Sequence, residues 1–456
     1  MSVSARWRAL NAGELRTRLW PVPALAVLIA IAAGVGVPQL DVAVDDSLPP
    51  AVTDYLFGGG PAAAREVLGS IAGSLITVTS LTFSLTVVTL QLASSQFSPR
   101  LLRTFARDRF VQRTLALFLA TFVYALTVLR TVRTGTDGEA DFVPMVSVTL
   151  AYLLAVLSVF GLVLFLAHLV REIRVETMVN NVYAEAVATV RRVCGPAEPD
   201  GPAEPNSPRP PLQCAPISGS GSGFVISVDE DALTAAASAA GAIVLVDRAP
   251  GSFLVAGTPV AFVWPADAGT DFEAEQLVLL RRAVAEAISL GPERTEAQDV
   301  GYGVQLLTDV AVKALSPGIN DPTTAIQSLG RSAALLCELA GRDLGARTLR
   351  DMDGQVRVVL RRPDLTELLD AAVGQPRRYG AADPLVLAGL FRLLRDLAWC
   401  ARLPAQSDAV ADQLGRLRDT VSGQAFDAVE RAHLEQLSEA VAAALAGDWP
   451  PHTDRV

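Results

Sequence analysis

Hydrophobic positions follow two regimes along this chain. Before about residue 170 they form long unbroken runs; after it they recur at three- and four-residue intervals or alternate with polar residues. Four runs stand out, at residues 20–37, 67–92, 111–129 and 142–170. Each is near or above the ~20 residues that a helix needs to cross a ~30 Å hydrocarbon core. The second and fourth are longer, so they tilt or extend past the bilayer. The first run follows Arg6, Arg8, Arg16 and Arg18, as a signal peptide would. No small-x-small cleavage site follows it, however, and further spans come after. An uncleaved first span is expected, with Trp20 at the interface.

The pattern then changes. Residues 175–193 read as a helix continuing from the fourth span. Residues 195–223 are rich in Pro, Gly and Ser and contain the near-repeat GPAEPDGPAEPN. Such composition buries no core and reads as a linker. Strands are expected at 224–228, 242–246 and 253–264, around an Ala-rich helix at 232–240. From residue 271 the spacing is helical, over 271–289, 295–315, 322–339, 365–373, 384–401, 405–422 and 426–446, with a lone strand at 356–360. The fold class is therefore a membrane protein, mainly α. Four transmembrane helices (1–170) lead through a helical extension (171–194) and a linker (195–223) to a cytoplasmic α+β domain. That domain comprises a small β-rich subdomain (224–266) and a mostly helical one (271–448).

Charge adds orientation. The net charge is -10, from 38 basic and 48 acidic residues. Residues 1–170 hold 12 arginines against 10 acidic residues, so the remainder carries 26 against 38. An acidic C-terminal part excludes nucleic acid, whose phosphates demand a basic footprint. Arginines gather at the N-terminus, at Arg100, Arg103, Arg107, Arg109 and Arg113, and at Arg171 and Arg174. The alternate loops hold Asp41, Asp45, Asp46 and Asp54, then Asp137, Glu139 and Asp141. Positive charge stays inside, which puts both termini in the cytoplasm of a multi-pass plasma (inner) membrane protein. Residues 98–113 alternate apolar residues with arginines and read as an interfacial helix on anionic headgroups.

The chain carries no Walker loop, GxSxG, HExxH or dinucleotide fingerprint, so no catalytic motif or cofactor is expected; a membrane-bound enzyme with a carboxylate-plus-lysine site at Asp309, Lys313 and Asp321 is the least favoured reading. Four cysteines without a CxxC pair read as reduced thiols. Three histidines, His168, His433 and His452, are too scattered for a metal site.

The second span is chemically unusual. Ser70, Ser74, Thr77 and Ser84 recur at helical spacing, and Gln91, Ser95 and Ser98 prolong the line. Thr79, Thr82, Thr86 and Thr89 form a second line. A hydroxyl in lipid can bond to the carbonyl one turn back, yet a whole stripe prefers protein or water to acyl chains. Two readings follow. One is helix–helix packing by small polar residues. The other is the wall of a water-filled path, with Ser74, Thr77, Thr79, Thr82, Ser84, Thr86, Thr89 and Gln91 as pore-lining candidates. No ionisable residue lies deep in a span, which weakens a proton relay.

The second informative stretch is residues 293–331. Val300, Val304, Leu307, Ala311 and Ala314 form a buried helical stripe. Gln298, Tyr302, Gln305, Asp309, Lys313 and Ser316 lie opposite. Lys313 is the only lysine in the chain. Pro317-Gly318 makes a turn, Asp321 is a helix N-cap and Pro322 suits the first helical position. A well-capped helix hairpin explains all of this. The less favoured alternative is a polar pocket formed by Asp309, Lys313, Ser316, Asn320, Asp321 and Arg331, binding a small polar ligand or ion.

Residues 80–109, SLTFSLTVVTLQLASSQFSPRLLRTFARDR, and 313–326, KALSPGINDPTTAI, resemble a bacterial family of predicted membrane proteins catalogued as domain of unknown function 2254. The resemblance runs from about residue 15 to about residue 440. It implies a transmembrane unit followed by a soluble part, and no particular activity. Two functions remain open. One is an oligomeric, channel-like or transport-related protein with a cytoplasmic regulatory domain. The other is a membrane-anchored sensor or interaction protein that binds a polar ligand near the ALSPGINDP turn. The expected partners are the lipid bilayer and further copies of the chain.

Overall fold

A computed structural model describes residues 20–44, 56–96, 108–134, 141–172, 174–196, 208, 210–219, 221–267 and 271–449. The basic N-terminus, the interfacial segment before Asp108, Asp45, Asp46, Asp54, Asp137, Glu139, Ser98 and the GPAEPDGPAEPN repeat beyond Pro196 lie outside the described residues, as does the side chain of Ser95. The chain divides into two compact units, residues 1–174 and 175–456.

Among the described residues the first unit holds four helices: α1 (Pro21–Val44), α2 (Pro61–Gln96), α3 (Arg109–Leu129) and α4 (Met145–Glu172). All four are long and apolar enough to cross a membrane. α2 begins six residues before the apolar run, at Pro61, a residue whose missing N–H costs nothing in the first turn. α3 is the centre of the bundle and packs against the other three helices. Its Tyr124, Ala125 and Val128 are fully buried against Ala30 of α1, Leu68 and Ala72 of α2, and Val148 and Ala151 of α4. Leu25 and Leu28 of α1, Leu81 and Phe83 of α2, and Phe160 and Val163 of α4 point outward. In water that surface would be costly; in acyl chains it is at home.

Two clasps tie the ends of α4. Asp41, expected in a loop, lies on α1 and is buried. Its carboxylate accepts from the Val146 and Ser147 amides at 2.9 and 3.1 Å and from Ser147 Oγ at 2.5 Å. It therefore caps the α4 N-terminus from another helix, satisfying donors that α4 leaves open. At the other end, His168 Nε2 lies 2.5 Å from Asp108 Oδ2. Asp108 is also the N-cap of α3, accepting from the Phe110 amide at 2.8 Å.

The second unit begins with α5 (Val175–Val193), a helix separate from α4. Eight strands follow among the described residues: β1 (Ala215–Ser218), β2 (Gly223–Val228), β3 (Ala242–Val246), β4 (Phe253–Leu254), β5 (Pro259–Pro265), β6 (Ile288–Gly291), β7 (Arg347–Arg350) and β8 (Val356–Leu360). Interleaved with them are α6 (Glu230–Ala239), α7 (Ala274–Ala287), α8 (Gly301–Ala314) and α9 (Pro322–Ala340). The chain ends in α10 (Leu365–Tyr379), α11 (Pro384–Cys400), α12 (Pro404–Ser422) and α13 (Ala428–Leu445).

One sheet has the order β1-β5-β3-β8-β7, antiparallel except for the parallel pair β3–β8; a smaller one has the order β4-β2-β6. Both sheets share a core with α6 and α7, built from Val225, Leu233, Val244, Val263, Val284 and Val358. The β-rich part is therefore not confined to residues 224–266. β1 arises inside the stretch that reads as linker. β6 takes the last turn of the helix expected at 271–289. β8 is no lone strand, being paired on both sides. Its partners β3 and β7 bring together residues far apart in the chain.

The helical part is punctuated by aspartate N-caps. Asp321, Asp364, Asp383 and Asp427 each accept from an amide of the first turn of α9, α10, α11 and α13, and Pro322 and Pro384 occupy first helical positions. The sequence signals at these points act as local chemistry dictates.

Candidate functional site

The hydroxyls of α2 sort onto two faces. Thr79, Thr82 and Thr89 are buried in the bundle and Thr86 is half-buried. Thr79, Thr86 and Thr89 donate to the carbonyls of Leu75, Thr82 and Leu85, one turn back, at 2.6, 2.8 and 2.9 Å. This line is buried and self-satisfied, apart from Thr82 Oγ1, which has no hydrogen-bond partner among the described residues. The other face is exposed: Ser70, Ser74, Thr77, Ser80, Ser84 and Gln91 all lie open. Ser70, Thr77, Ser84 and Gln91 are spaced at seven-residue intervals. That is the period at which one helix keeps facing a neighbour. Thr77 donates to Gly73 O at 3.0 Å. Ser70 and Ser74 also border a groove of about 260 Å³ between α2 and α4, otherwise lined mainly by Ile71, Leu75, Val78 and Leu162. Of the pore-lining candidates, Ser74, Thr77, Ser84 and Gln91 thus face outward and the four threonines from Thr79 to Thr89 face the bundle.

The ALSPGINDP turn is built by its own polar groups. Ser316 Oγ donates to Lys313 O at 2.7 Å, and the Asp321 amide donates to Ala314 O at 2.8 Å. Asn320 has φ 50°, a left-handed conformation that asparagine tolerates better than most side chains. The Asp321 carboxylate accepts from the Thr324 amide at 3.0 Å and from its hydroxyl at 2.6 Å. These bonds hold its pKa below the ordinary aspartate value. Asp309 accepts from Gln305 Nε2 at 2.7 Å. Arg331 lies ten residues along α9 from Asp321, roughly 15 Å at the helical rise, and stacks over the Tyr183 ring at 5.6 Å. Ser316, Asn320 and Asp321 are therefore gathered at the turn, while Arg331 is not brought to them. Tyr302, expected on the open face of α8, is buried, because α8 is packed by α5, α9 and α10 together.

The sequence reading passed over a third constellation. A cavity of about 280 Å³ lies in the second unit, at the carboxyl ends of β2, β3 and β8. Arg192, Arg248, Arg347, Arg361 and Arg362 line it, with Glu230 as the one carboxylate. Glu230 bridges Arg347 at 3.1 Å and Arg362 at 3.3 Å. Arg192 donates to the Glu296 and Ala297 carbonyls at 2.8 and 3.2 Å. Arg361 pairs with Glu367 at 3.2 Å. Gln298 bonds both the N–H and the carbonyl of Val228, fixing the end of β2 at the rim. Arg248 Nε is buried and has no hydrogen-bond partner among the described residues.

A family described as Predicted membrane protein (DUF2254) matches residues 16–396. Uncharacterized proteins of Mycobacterium tuberculosis H37Rv and Mycobacterium bovis are each 33% identical to this chain over 423 residues, covering 92% of it and 79% of their own length. No solved structure matches the chain.

Proposed function

We propose, from the premise that the chain belongs to the DUF2254 family of predicted membrane proteins, that it works as an oligomeric, channel-like protein of the plasma membrane. One observation carries this reading: the exposed serine face of α2. Hydroxyls that look away from their own bundle at membrane depth are costly in acyl chains and comfortable against water or another polypeptide. Four helices enclose little space, so a path needs several copies around an axis. In that assembly Ser74, Thr77, Ser84 and Gln91 turn toward the axis, and the bundle-facing threonines stiffen the wall. Both termini are cytoplasmic by the distribution of arginines, and the second unit acts there as the regulatory part.

The test is ion flux from liposomes loaded with purified full-length protein. Flux that falls when Ser74 and Ser84 are replaced by Leu, with the protein still folded and oligomeric, supports a polar path. Folded protein that passes no cation or anion ends the proposal. A second reading, a membrane-anchored sensor, draws on the arginine-lined cavity and on the burial of the threonine line; it is the one left if flux is absent.

A further inference from the structure

We infer that the arginine-lined cavity of the second unit is a binding site for a phosphate monoester. The inference is independent of conduction and stands or falls on its own observations. The first is electrostatic. This part of the chain is acidic overall, yet five guanidinium groups and one carboxylate meet around a single hollow. Like charges held this close repel one another unless an anion sits among them, and carrying arginine out of water is costly without a partner. The Arg362 side chain is only 8% exposed.

The second observation is the accounting of partners. Glu230 is shared between Arg347 and Arg362, Glu367 and Asp247 face Arg361, and backbone carbonyls take Arg192. Arg248 is left over, its Nε buried without an acceptor among the described residues. A buried donor with nothing to donate to is expensive, and a ligand oxygen resolves it. The third is topological. β3 and β8 run parallel, and Arg248, Arg361 and Arg362 sit directly beyond their carboxyl ends. Loops leaving adjacent parallel strands part from one another, and the hollow between them is where open α/β sheets take ligands.

Charge and shape select the chemistry. Planar forks that donate two parallel bonds fit phosphate oxygens, and the local surplus of positive charge favours a dianion over a carboxylate. Val193, Val228, Val300 and Leu360 supply an apolar wall beside the arginines. The wall suits an ester carrying a ring or chain better than bare phosphate.

The experiment uses the full-length protein in phosphatidylcholine nanodiscs. Melting temperature and calorimetric binding are followed with inorganic phosphate and with phenyl phosphate, against sodium chloride of equal ionic strength. The expected result is a rise in melting temperature with both, and tighter binding of phenyl phosphate. Arg248→Gln should weaken binding about tenfold or more, the loss of one charge-assisted bond. Arg282→Gln, an exposed arginine of α7 paired with Glu286, should leave it unchanged. If Arg248→Gln fails to fold, the half-exposed Arg361→Gln carries the same comparison. A second arm repeats the melt in nanodiscs containing phosphatidic acid. Arg248-dependent stabilisation there alone assigns the phosphate to a lipid headgroup; with the free ester alone it assigns it to a soluble ligand. Either supports the site. No shift with any probe, or a shift untouched by both arginine variants, overturns it.

Discussion

A Cβ placed on Gly251 would stand 2.0 Å from the carboxylate of Asp299. Gly251 has φ 90° and closes the turn between β3 and β4, its amide donating to Val225 O at 2.8 Å. Asp299 cannot retreat, because Arg294 Nε holds its Oδ2 at 2.8 Å and the Gly301 amide holds its Oδ1 at 3.1 Å. Gly251→Ala should therefore cost about 3 kcal/mol, from the left-handed backbone plus a disturbed charged hydrogen bond. Denaturant unfolding of the purified protein measures it. A loss below about 0.5 kcal/mol, ordinary for a neutral surface change, would show the contact relaxes freely.

The two buried or bridged carboxylates Asp299 and Glu338 should pull stability in opposite directions with pH. Burial pushes the Asp299 pKa above the ordinary aspartate value, with Arg294 opposing. The folded state then holds that proton more tightly, so this contribution falls as pH rises from about 3.9 through the folded value. Hydrogen bonds from Arg191 and Arg342 hold Glu338 below the ordinary glutamate value. Its contribution is present above about 4.3 and is lost as pH falls through the folded value. Melting curves across this range should show an acid-side loss that shrinks in Glu338→Gln. An unchanged acid limb in that variant would mean the bridge between α5 and α9 adds nothing.

Asp41 is expected to matter as a cap. Asp41→Ala removes the carboxylate that accepts from the Val146 and Ser147 amides at the start of α4, and a cost of about 1–2 kcal/mol follows from N-cap replacement. Asp41→Asn keeps one oxygen and should be milder. Unfolding in mixed micelles separates the two, and equal effects of Asn and Ala would argue that the carboxylate is not acting as a cap.

A Cβ on Gly303 would meet the Ala186 Cβ at 2.2 Å, so α8 and α5 approach at this point because neither carries bulk. Gly303→Ala should cost about 1–3 kcal/mol by overpacking. Ala186→Gly in the same chain should recover most of that loss. If the double variant is no more stable than the single one, the two helices are not held apart by this contact.

What the sequence made legible depended on how far each signal reached. The spans and the Asp321 cap are local, written in consecutive residues, and were readable. The sheet was not. β1 hides in a Pro- and Ser-rich stretch, and its strand character comes from pairing with β5. β6 follows α7 without a break, so its apolar residues extend a helical pattern. The α2 stripe was visible, but spacing alone could not say that its two lines face opposite ways. The arginine cavity escaped for the same reason as the sheet. Its residues are scattered from Arg192 to Arg362, in a chain where nearly every basic residue is arginine, and only the strand order gathers them. A signal was available in the adjacent Arg361-Arg362 pair just after an apolar strand.

The parallel pairing of β3 with β8 sets a timetable for synthesis. Val244 faces Val358, so the ribosome adds more than a hundred residues after β3 emerges before its neighbour exists. At about 5–20 residues per second, that interval lasts roughly 6–20 s. Throughout it the nascent chain exposes the bare β3 edge of a half-built sheet, the kind of edge that pairs with whatever strand comes near. Crowded polysomes and chaperone supply should therefore govern how much of this protein reaches its finished form.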